Sequence, residues 1–95
     1  MKGVRTGAKL PDVRLDLTTQ KLYSVPVEAL RLGDALRELS VVGNRISELP
    51  DALNLCRRLR ALHASANSLG ALPDLSGLPE LAHVGLSFNL SLIHI

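Results

Sequence analysis

Aromatic side chains are almost missing from this chain, which has one Tyr, one Phe and no Trp. This scarcity argues against a core anchored on rings and against a single-stranded nucleic-acid platform, which needs stacking surfaces. Cysteine is as scarce: Cys56 stands alone, so no internal disulfide can form. No apolar run approaches the ~18 residues of a membrane span, and no apolar stretch follows the basic start as in a secretory signal. These absences lead us to expect a soluble, intracellular and cytoplasmic protein. A large charge excess is missing too, the formal net charge being +2.

The basic residues are unevenly placed. Lys2, Arg5 and Lys9 lie in the first ten residues, Arg57, Arg58 and Arg60 form a second group, and no charge follows Glu80. A polyanion binder would carry a larger excess on one face. The preferred reading is a mobile terminus and a solvated rim. The alternative is electrostatic binding of nucleic acid or anionic membrane through the basic N-terminus and Arg57/Arg58.

What the chain has in quantity is leucine, and it is periodic. Residues 36–50, LRELSVVGNRISELP, and 59–73, LRALHASANSLGALP, share one skeleton. Leu36, Leu39, Val41, Asn44, Ile46, Leu49 and Pro50 recur as Leu59, Leu62, Ala64, Asn67, Leu69, Leu72 and Pro73, each displaced by 23 residues. Upstream, Leu15, Leu17, Gln20, Leu22, Val25 and Pro26 fit the frame at a spacing of 24; downstream, Leu81, Val84, Leu86 and Asn89 fit at 22. Four units thus cover nearly the whole length, a period that marks a repeat architecture.

Within each unit the apolar positions Leu39 and Val41 alternate with Glu38, Ser40 and Val42, as strand residues must. One such strand cannot bury its apolar side alone. Beside Leu15/Leu17, Leu62/Ala64 and Val84/Leu86 it forms a short parallel sheet with a continuous inner face. Leu53 and Cys56, then Leu75, Leu78 and Leu81, are spaced by threes and predict 3-10 or short helical returns rather than a long helix. Cys56 fills an apolar position and is read as a core residue.

The skeleton L-x-x-L-x-(apolar)-x-x-N-x-(Leu/Ile)-x-x-L-P resembles the leucine-rich-repeat family. The second unit resembles the intracellular, Ras-signalling-associated type, and the third the shorter phosphatase-regulatory type. The resemblance implies an α/β solenoid of about four coils, with a short parallel sheet on the concave side and irregular returns. It also implies that Asn44, Asn67 and Asn89 bond to the backbone of their own and adjacent coils, with Gln20 a weaker match. Backbone groups that turn inward after a strand need such partners, since an unpaired buried group costs ~1–3 kcal/mol.

In that family the outward strand residues bind partners. Here they are Arg14, Asp16 and Thr18; Glu38, Ser40 and Val42; Ala61, His63 and Ser65; and His83, Gly85 and Ser87. Arg37 and Arg60 lie beside them near the strand starts, with Phe88 toward the far edge. The mixed, small-residue surface suits a flat protein-binding face more than a pocket, with Val42 and Phe88 as apolar anchors. His63 and His83 fall diagonally on neighbouring strands, but two histidines make no metal site, which needs three or four ligands. Ser65 beside His63 lacks a third group to orient the imidazole, and Gly3 and Gly7 lack the context of a phosphate loop. We expect no enzyme activity, no cofactor, and another protein as partner.

The expected organisation is a flexible basic segment over 1–9, the repeat domain over 10–90, and a non-repeat tail over 91–95. The tail, with His94, carries no cap and follows Ser91, where the frame asks for an apolar residue. LSLIHI looks like a truncation or a translated adaptor, and an uncapped last unit is exposed to end-to-end self-association.

Overall fold

Each repeat contributes one short strand, because only two or three alternating residues per unit have an apolar inner side to pair. The computed structural model describes residues 12–90. Strands β1 (Val13–Asp16), β2 (Leu36–Ser40), β3 (Ala61–His63) and β4 (His83–Gly85) form one parallel sheet in chain order. Leu15 pairs with Leu39, Leu39 with Leu62, and Leu62 with Val84. The sheet register is thus the sequence repeat itself. It slips once: Val13 pairs with Leu36 but Arg14 with Glu38, leaving Arg37 as the extra residue of a bulge.

Parallel neighbours need a crossover, and here each is short. The first return holds a single helical turn, α1 (Val27–Leu30), and a 3-10 turn at Gly33–Ala35; the second holds a 3-10 turn at Asp51–Leu55. Pro26 and Pro50 stand immediately before α1 and the Asp51–Leu55 turn with extended ψ of 144° and 147°. Proline costs no hydrogen bond at such a start, where the backbone N–H has no partner within the turn. Ala29, Leu53 and Leu78 then close the core from the return side.

Burial is graded along the sheet. Leu36, Leu39, Val41, Ile46, Leu53, Cys56, Leu59, Leu62, Ala64 and Leu69, all from the two middle units, are wholly inaccessible. Their counterparts in the outer units, Leu15, Leu17 and Leu22 on one side and Val84 and Leu86 on the other, are only partly buried. A unit needs a neighbour on both sides to cover its apolar edge.

The ladder runs on past the strand ends. Leu17 N–H donates to Ser40 O, Val41 to His63 O and Ala64 to Gly85 O, each at 2.8 Å. Two residues later Thr19, Gly43 and Ala66 donate to Val42, Ser65 and Ser87 carbonyls. Thr19, Gly43, Ala66 and Phe88 occupy the same place in the four units, and all four have left-handed backbone, φ 55°, 73°, 58° and 60°. This is where the chain swings inward, one residue ahead of the Gln/Asn position. The turn is invisible in the composition, because only Gly43 is a glycine. The segment 1–9, with Lys2, Arg5 and Lys9, and the tail 91–95, with His94, lie outside the described residues. Among the described residues no helix is long and apolar enough to cross a membrane.

Candidate protein-binding face

The side of the sheet opposite the core presents three columns. Sheet register aligns Arg14, Glu38, Ala61 and His83 in the first, and Asp16, Ser40, His63 and Gly85 in the second. The backbone bonds beyond the strands align Thr18, Val42, Ser65 and Ser87 in the third. Val42 is half-buried, whereas Phe88 is 87% exposed.

A line of contacts crosses all four strands. Arg14 Nε lies 3.4 Å from Glu38 Oε1, Glu38 Oε2 accepts from His63 Nε2 at 2.8 Å, and the His63 and His83 rings sit 5.1 Å apart at 47°. Glu38 is therefore the group that orients the His63 imidazole, which corrects the expectation that none does. It was hard to see in sequence because the pair is diagonal, 25 residues apart and two positions along the strand. Ser65 is engaged elsewhere, its hydroxyl accepting from Ser87 N–H at 3.1 Å. Among the described residues no three His, Cys, Asp or Glu side chains gather to hold a metal ion.

Asp16 accepts from the Thr18 hydroxyl and, at 3.0 Å, from Thr18 N–H, which holds its carboxyl below the usual carboxylate range. With the Thr18 hydroxyl proton committed to Asp16, the 3.1 Å contact with Ser40 is a bond donated by the serine. Arg14, Leu15, Asp16, Glu38 and Ser40 line a shallow depression of about 260 Å³ at the β1 end of the face. The surface is thus polar, pre-ordered by its own side chains and open.

Behind the face, the asparagines tie the units together. Asn44 Oδ1 accepts from Gln20 and Leu22 N–H, both at 2.9 Å, while Nδ2 donates to Leu17 O at 2.9 Å and to Val41 O at 2.8 Å. Asn67 accepts from Ile46 N–H and donates to Val41 and Ala64 carbonyls. Asn89 accepts from Leu69 N–H and donates to Ala64 and Leu86 carbonyls. Gln20 differs: its side chain is exposed and donates only to Thr18 O at 3.2 Å, and its backbone N–H is what the next unit receives. Asn54, which the repeat frame does not single out, joins successive returns by donating to Asp51 and Asp74 carbonyls.

Two charged groups lie where sequence alone did not put them. Arg37 was expected beside the exposed columns but is 7% accessible, because the bulge turns two consecutive residues, Leu36 and Arg37, inward. The second basic group is not a bare patch: Arg57 faces Asp34 at 3.8 Å, and Arg58 and Arg60 face Glu80 at 3.8 and 3.6 Å. Cys56 is fully buried, and burial, aided by the nearby Asp34 charge, pushes its thiol up from its ordinary value.

No family model matches the chain. It is 29% identical over 75 residues to the PH domain leucine-rich repeat-containing protein phosphatase 1 of Mus musculus, and equally so to that of Homo sapiens. The match takes in 79% of this chain and spans 4% of those relatives' length. It is 36% identical over 78 residues to a uridine 5'-monophosphate transferase of Xanthomonas campestris pv. campestris (strain 8004), covering 80% of this chain and 14% of that protein. The chain is thus similar over most of its length to short stretches of much longer proteins, one of them named for its leucine-rich repeats.

Proposed function

We propose that the chain is a leucine-rich-repeat segment, a solenoid of four coils, that binds another intracellular protein on its concave face and has no catalytic activity of its own. The observation that carries this reading is the line Arg14–Glu38–His63–His83. Four side chains from four strands meet in one line across the sheet, with the Glu38–His63 hydrogen bond at its centre. A partner meeting such a surface finds Glu38 and His63 already ordered, so less side-chain freedom is lost on binding. The similarity to a phosphatase named for its leucine-rich repeats supports the repeat assignment.

The test is a capture experiment with the whole chain and with a variant carrying Arg14→Ala, Glu38→Ala, His63→Ala and His83→Ala. Proteins held by the unaltered chain and released by the folded variant support the concave face. A set unchanged by the variant rejects it.

A further inference from the structure

We propose that the arginine cluster at the strand-start rim of the sheet is a binding site for a phosphoryl group, and that Glu80 fills it from within the chain. Three guanidinium groups converge on this one carboxylate. Arg37 NH1 lies 3.8 Å from Glu80 Oε1, Arg60 Nε 3.6 Å from the same oxygen, and Arg58 Nε 3.8 Å from Oε2. A charge-assisted hydrogen bond between guanidinium and carboxylate closes to about 2.7–2.9 Å. All three contacts exceed that, so the carboxylate stands among the arginines without bonding well to any of them.

Arg37 supplies an independent reason. Its side chain is only 9% exposed, yet its buried Nε and NH1 have no hydrogen-bond partner among the described residues. Asp12 Oδ1 is 3.2 Å from Nε, but off the N–H direction, so the contact is electrostatic only. A buried, fully charged guanidinium with free donors is rarely left so in a native protein. The local balance points the same way: among the described residues, Arg37, Arg58 and Arg60 face only Asp12 and Glu80.

A phosphoryl group has three acceptor oxygens and up to two negative charges, and it matches the guanidinium fork. It can therefore offer a separate oxygen to each of the three arginines, where a carboxylate has only two to share among them. Glu80 is 40% exposed, as is Arg58 at 41%, and Arg60 is more open at 62%, so the carboxylate can swing into water as the ligand enters. The site adjoins the outward columns through Arg37–Glu38 and Arg60–Ala61, but it uses none of the face residues and does not depend on their role.

Titration calorimetry on the full chain, at constant ionic strength in chloride buffer, tests the proposal with inorganic phosphate, a phosphoserine peptide and its unphosphorylated form as probes. Phosphate is expected to bind one to one. Arg60→Gln should weaken it about tenfold or more, as loss of a charged hydrogen bond does, and Glu80→Gln should tighten it. Arg58→Gln repeats the first test at a second exposed position, and Arg37→Lys keeps the charge while removing the fork. Circular dichroism confirms that each variant is folded. Tighter binding of the phosphopeptide than of phosphate assigns the group to a phosphorylated side chain, and equal binding to a free phosphate compound; both support the site. Phosphate affinity unchanged by Arg60→Gln, or lowered by Glu80→Gln, overturns it. So does binding to phosphatidylserine vesicles that phosphate does not compete away.

Discussion

An asparagine amide offers two hydrogens and two lone pairs, and Asn67 uses them on four backbone groups from two units. Asn67→Leu leaves the Ile46 N–H without a partner and takes one of two donors from the Val41, Ala64 and Ser65 carbonyls, and is expected to cost roughly 1–3 kcal/mol. Gln20→Leu, at an exposed side chain, should stay within about 0.5 kcal/mol. Urea denaturation of the two variants checks this, and equal midpoint shifts would contradict the tie. One residue earlier, backbone geometry decides. Ala66 holds φ 58° with a Cβ, which costs an L-residue about 1 kcal/mol or more, so Ala66→Gly should stabilise by up to about 1 kcal/mol. Gly43→Ala should do the reverse, since a Cβ there meets Thr19 Oγ1 at 3.0 Å on a φ of 73°. Opposite shifts in melting temperature are the expected pair. The asparagines were legible because polar residues recur in an apolar frame. The left-handed turn was not, because Thr19, Ala66 and Phe88 carry no turn signal; Thr19 and Ala66 are held there by the ladder bonds of their N–H groups.

Strands of three to five residues are too short to hold themselves together, so each owes its stability to its neighbours. Leu62 lies in β3 between two strands and is wholly buried, while Leu15 lies in the edge strand β1 and is partly exposed. Leu62→Ala is expected to cost roughly 2–5 kcal/mol and Leu15→Ala less than half as much. Chemical denaturation midpoints measure both, and comparable losses would argue against the graded core. At this scale the repeat spacing made the strands, their order and their register readable. The bulge at Arg37 was not readable. Its inward-turned side chain faces Asp12 and Glu80, residues of other units that share no frame position with it. The Glu38–His63 bond escaped for a related reason, since spacing gives register along a strand but not which diagonal neighbours reach each other.

Across the whole molecule, pH should act from two sides. Asp16 is held low by its bonds from the Thr18 side chain and backbone, and Asp74 by those from the Ser76 backbone and side chain. Such groups contribute stability above the unfolded carboxylate range, and that contribution is lost as pH falls through the folded pKa. Cys56 is raised instead, so its contribution is present below the unfolded thiol pKa of about 8.5 and fades as pH climbs toward the folded one. Asp16→Asn should flatten the acid limb of a melting-temperature profile, and Cys56→Ala the alkaline limb; unchanged limbs would contradict the assignment. The buried thiol should also resist alkylation until the chain unfolds.

The central claim is a division of labour: frame positions hold the units together, and the outward positions between them carry recognition. It is tested most directly by the Arg14/Glu38/His63/His83 alanine variant, with melting temperature and retained partner measured on the same sample. The expected result is a fold that melts within a few degrees of the unaltered chain and no longer holds its partner. A variant that folds and still holds that partner would contradict the account.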